Sequence, residues 1–83
     1  MKAYAFTSVS TYEGEEIVNT QLFSTKAKAK KKFKEEKRAI KIDFKDLGVK
    51  YGEEETKLTY CIYETGYFMS NHFTMQIEEL EIL

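Results

Sequence analysis

The chain has 83 residues, 42% of them hydrophobic and 14% aromatic, with 13 basic and 14 acidic side chains and a net charge of −1. This is the length of one small domain without room for a second core, and the composition is globular rather than disordered. No apolar run approaches the roughly 20 residues of a membrane span. The opening MKAYAFTSV lacks a signal-peptide core, and the single cysteine, Cys61, cannot form an internal disulfide, so a cytoplasmic setting is expected.

From Lys2 to Val9 the residues alternate, with Tyr4, Phe6 and Ser8 on one face. Ile17 to Phe23 resumes the pattern after the Gly-containing loop Ser10–Glu16, and two such runs predict a β-hairpin. Ser24 or Thr25 can then cap a helix. Ala29, Phe33, Ile40, Phe44 and Leu47 fall in one narrow sector at about 100° per residue, and Gly48 is placed to end the helix. A helix over about 25–46 would be roughly 33 Å long against strands of roughly 25 Å, so one end is expected to overhang the sheet.

Val49–Lys57 reads as a polar loop, and Leu58–Tyr63 as a strand with Leu58, Tyr60 and Ile62 on one side. The last hairpin turns at Glu64–Gly66 or at Ser70–His72, the latter preferred, before Phe73, Met75 and Ile77 share a face. A change of parity at Leu80 and Ile82 predicts a bulge or a strand end near Glu78–Glu79. The expected architecture is α+β in the order ββαββ. It is a four-stranded, mostly antiparallel sheet with one long amphipathic helix packed on one face, and residues 1–83 form a single domain.

Charge is distributed unevenly. Lys26 to Lys45 holds ten basic and three acidic residues, a net of +7, while the remainder holds three basic and eleven acidic, a net of −8. Six lysines lie between Lys26 and Lys34, where a helix N-terminus favours acids instead. Such lysines can form a solvated face whose stems cover the edge of the core. Their concentration where they cost helix stability also fits a surface for an anionic partner, with Lys26, Lys30, Lys31, Lys34, Lys37 and Lys41 as its candidates. With a single Arg, no groove-reading motif and a sequence pI of about 5.9, nucleic acid is the second choice after an acidic protein surface.

The pattern carries little catalytic chemistry. His72 has no second His and no nearby Cys at metal-ligand spacing, and Cys61 sits within an apolar strand as a packing residue. A Cys61–His72 pair across the last hairpin is conceivable but lacks a third, orienting group. The four glycines are scattered, so no phosphate-cradling loop is present. No enzyme, metal or cofactor is expected. One helix covers one sheet face, which leaves Tyr12, Tyr51, Tyr63, Tyr67 and Phe68 as candidate rings for the other. Tyr63 and Tyr67 join the lysines as candidate partner-binding residues.

The stretch YAFTSVSTYEGEEIVNTQLFSTKAKAKKKF, Tyr4 to Phe33, resembles the opening of small uncharacterised bacterial and bacteriophage accessory proteins. These share a strand with a Thr-Ser end, a loop with Tyr, a second strand, and FST leading into a KA-containing helix. The resemblance covers roughly residues 3–33 and implies a compact accessory protein of a phage or mobile element, with no catalytic residues to carry over. The expected function is a non-catalytic protein-interaction module, an inhibitor or modulator of a host or defence protein. A nucleic-acid-binding accessory protein using the same lysines and a self-assembling structural protein pairing edge strands or sheet faces are the alternatives. Homodimerisation through the uncovered sheet face is expected.

Overall fold

The structure, a computed structural model, describes residues 1–12, 15–65 and 71–81. Strands β1 (Lys2–Tyr12) and β2 (Glu15–Phe23) precede helix α1 (Lys26–Leu47), and β3 (Tyr51–Glu55), β4 (Thr59–Glu64) and β5 (His72–Glu81) follow. The strands form one antiparallel sheet in the order β2-β1-β5-β4-β3. The first and last strands in the chain are therefore neighbours at its centre.

Local chemistry explains the helix limits. Thr25 is extended, and its hydroxyl accepts from the Lys28 N–H at 3.2 Å, satisfying a backbone donor that the first turn cannot. Gly48 closes the far end at φ 69°, a left-handed conformation that suits a residue without a Cβ, and its N–H donates to the Lys45 carbonyl. Between these caps, Ala29, Phe33 and Phe44 are buried against Phe6 of β1, Tyr60 and Ile62 of β4, and Phe73, Met75 and Ile77 of β5. Ile40 packs at the margin of this core. Edge-on contact between the Phe6 and Phe33 rings, 6.4 Å between centroids, fixes the helix over the middle of the sheet.

The α+β class and the single helix on one face match the sequence pattern, but the described residues form five strands rather than four. Tyr51–Glu55, expected within a loop, pairs in register with β4 from Tyr51↔Glu64 to Glu55↔Tyr60. Its run of three glutamates disguises a strand, because an edge strand needs only one paired side and β preference depends on such context. No bulge interrupts β5, whose pairing with β1 is continuous from Thr11↔His72 to Lys2↔Glu81. Leu80 thus points away from the helix, opposite Ala3.

The length mismatch behind the expected overhang of the helix is not found at the two central strands. At 11 and 10 residues, β1 and β5 run roughly 37 and 34 Å, matching the roughly 33 Å of α1. In the first hairpin Tyr12 lies opposite Glu15, so both strands extend further toward their turn than expected. In the last, Tyr63 pairs with His72, which places His72 in the strand rather than in a Ser70–His72 turn. Of the two expected turns only residues 66 and 70 fall in the stretch 66–70, outside the described residues, whereas Glu64 ends β4 and His72 begins β5.

Candidate functional site

The lysines of α1 divide into two groups. Lys37 lies over the Tyr60 ring at 5.2 Å and forms an ion pair with Glu55, while Lys41 reaches Glu53 at 3.4 Å. The Tyr60 hydroxyl, beneath them, donates to Glu53 at 2.9 Å. Burial first, and then this bond to an anion, hold its pKa well above the ordinary phenol value. The spacing explains the match. Residues i and i+4 of a helix rise about 6 Å, close to the roughly 6.6 Å between i and i+2 of a strand. Lys37 and Lys41 therefore hold the acidic strand β3 to the helix, a structural use for two residues expected to bind a partner.

Lys26, Lys30, Lys31 and Lys34 remain on the surface, and among the described residues no carboxylate lies within ion-pair distance of them. The first helical turn contains no acid. Part of that role passes to β5, where Glu79 binds Lys2 at 2.8 Å. Its carboxyl is held below the usual range by the Lys2 hydrogen bond and charge, with a smaller contribution from Lys26. Further along, Lys32 pairs with Glu36 one turn on. Lys31, Lys34, Arg38 and Lys45 continue the positive stripe, beside the exposed Ile42.

The face of the sheet away from the helix holds Tyr63 among the rings expected there, and its neighbours are small, aliphatic or polar. From the strand pairing it carries Ala3, Ala5, Thr7, Val9 and Thr11 of β1, with Thr74 and Gln76 of β5 and Thr59 and Cys61 of β4 beside them. It curves into a shallow concavity of about 480 Å³ floored by Thr7, Val9, Cys61, Thr74 and Gln76. Tyr51 is on the other side, edge-on to Phe44 at 5.9 Å. Tyr63 is half-buried because its ring lies across Gly52, where a Cβ would come within 2.7 Å of it. Tyr67 and Phe68 lie outside the described residues.

Cys61 and His72 do meet on this face, with Sγ 3.3 Å from Nε2. The pair is not primed for nucleophilic attack. Burial, reinforced by the Glu54 charge, pushes the Cys61 thiol up, away from the reactive thiolate. Among the described residues no carboxylate is hydrogen-bonded to His72, and no group of three His, Cys, Asp or Glu side chains is arranged to hold a metal. No described helix is long and apolar enough to cross a membrane.

The two edges of the sheet, which the self-assembling alternative would pair, hold none of the candidate partner-binding residues named from the sequence. Strand β3 is short, and its glutamates point both toward the helix and away from it. Strand β2 is nine residues long and exposed along its length apart from Phe23. Ile17 and Val18 are each 57% exposed and Leu22 66%. The signal was present in IVNTQLF, seven consecutive residues with neither a charge nor a proline. Compared with known proteins, the chain matches no family model, no curated protein and no solved structure.

Proposed function

We propose that this protein is a non-catalytic interaction module that docks an acidic protein surface through the first half of α1. Its role would be that of a small modulator or inhibitor carried by a phage or mobile element. The observation that carries this reading is the division of the helix lysines. Lys37 and Lys41 are matched by Glu55 and Glu53 within the fold, whereas Lys26, Lys30, Lys31 and Lys34 are exposed without such partners among the described residues. Clustered like charges at a helix N-terminus raise one another's energy, and an opposing anionic surface relieves that cost. The phage-type role rests on the resemblance of Tyr4–Phe33 alone.

The test compares the wild-type chain with a Lys30→Glu, Lys31→Glu, Lys34→Glu variant. Both are immobilised in bacterial extract at low and at raised salt, and titrated in parallel with labelled DNA and RNA. A protein retained by the wild type at low salt, and lost both in the variant and at raised salt, supports the proposal. Tight nucleic-acid binding that falls steeply with salt would replace it with the nucleic-acid reading. Recovery of the same proteins by wild type and variant would remove the lysines from the site.

A further inference from the structure

The exposed strand β2 has a sequence that is complementary to itself. We infer that β2 pairs antiparallel with β2 of a second copy, joining two five-stranded sheets into one across a two-fold axis at Thr20. This would replace the expected dimer through the sheet face with one through the sheet edge.

An edge strand presents unpaired backbone N–H and C=O groups along one side, and a second strand satisfies them. In a two-fold antiparallel pair, facing residues must lie on the same side of the sheet, so the axis passes between a residue and its own equivalent. Centred on Thr20, the exposed Val18 faces Leu22 of the second copy, twice, and Ile17 faces Phe23. Asn19 faces Gln21, and Thr20 faces its equivalent. The Thr7–Thr20 contact within each copy then extends into a row of hydroxyls across the junction.

Neighbouring registers are worse. Centring on Asn19 sets Glu16 against Leu22, and centring on Gln21 sets Val18 against Ser24 and Asn19 against Phe23, which separates the apolar pairs. The Thr20 register also places Glu15 and Glu16 beside Thr25 and Ser24 of the second copy, immediately before the exposed Lys26 and Lys28. Acid at one end of the strand and base just past the other attract only when the copies run antiparallel. Strand β2 ends at Phe23 and the chain bends at Ser24 and Thr25, so the ladder spans Ile17 to Phe23 and the acids meet the bases just beyond it. The opposite edge, β3, is short and acidic and does not offer a comparable template, so assembly closes at two copies instead of growing into a fibre.

Sedimentation velocity of the full chain over a range of concentrations, with circular dichroism as a control for folding, tests the inference. The wild type should dimerise and Val18→Lys should weaken the dimer by roughly tenfold or more, because the change occurs at two places across the axis. In a Cys61→Ser background, Thr20→Cys should form an intermolecular disulfide under mild oxidation, while Asn19→Cys, on the other face, should not. A folded chain that stays monomeric at high concentration overturns the inference, as does a dimer indifferent to Val18→Lys. Cross-linking through position 19 rather than 20 overturns the register. The Lys30, Lys31, Lys34→Glu variant should dimerise like the wild type, so loss of partner binding and loss of dimerisation are separable results.

Discussion

The two edges of this sheet face the same physical problem and meet it differently. Among the described residues, both β2 and β3 pair on one side only. Strand β3 is five residues long, carries Glu53, Glu54 and Glu55, and is tied to the helix through Lys37, Lys41 and the Tyr60 hydroxyl. A second strand approaching it would meet repulsion and a shortage of backbone to pair. Strand β2 has nine residues, an uncharged stretch from Ile17 to Phe23, and three well-exposed apolar side chains. One edge is guarded and internally committed, whereas the other is open. Where a small domain spends charge on protecting one edge, the unprotected edge is the place to look for a partner.

The contrast is broken most severely at Tyr60. Only 1% exposed, it supports β3 from below while its ring underlies Lys37. Tyr60→Ala should cost about 3–5 kcal/mol, enough to leave so small a domain largely unfolded in urea titrations. A loss under about 1 kcal/mol would mean that β3 does not rest on this ring. Removing the ties from above is gentler. Lys37→Ala with Lys41→Ala should cost about 1 kcal/mol, and hydrogen exchange at Glu53–Glu55 should accelerate while β2 is unchanged.

A smaller effect concerns the face next to β3. The folded Cys61 thiol has its pKa raised by burial and by Glu54. Its neutral form is favoured, so this contribution to stability is complete below the unfolded thiol pKa and is lost as pH rises through the folded one. Alkylation at pH 8 should be roughly tenfold slower in the folded chain than in the unfolded one, and equal rates would show an unshielded thiol. The smallest effect belongs to the open edge. Val18→Thr, measured at a concentration where the chain is monomeric, should change stability by less than about 0.5 kcal/mol. A larger loss would show that Val18 is part of the fold and not of a surface kept for pairing.

Much of the core was legible from periodicity. The positions Phe6, Ala29, Phe33, Phe44, Tyr60, Ile62, Phe73, Met75 and Ile77 recur at strand or helix spacing, and all are buried. Both helix caps were visible in Thr25 and Gly48. What escaped depends on tertiary context. YGEEE lacks the composition of a strand, and it becomes one because Lys37 and Lys41 neutralise two of its carboxylates and β4 supplies its hydrogen bonds. The candidate lysines were found as a group, but only their distance from β3 separates the two committed within the fold from the four left at the surface. The side on which Tyr51 lies is not legible, because parity cannot be judged in a segment that does not read as a strand.

The position of β1 between β2 and β5 has a consequence for the order of assembly. The hairpin and the helix close over short loops, but Phe6 meets Ile77 only after nearly the whole chain has been arranged. Closing so long a loop is entropically costly, which slows folding to the order of milliseconds or longer for a mixed domain of this kind. During that interval β1 lacks its second neighbour while β2 already presents its outer side. The half-assembled chain thus holds two adhesive borders where the finished one holds a single inviting edge. Refolding yield should therefore fall with protein concentration more steeply than the stability of the native state would suggest.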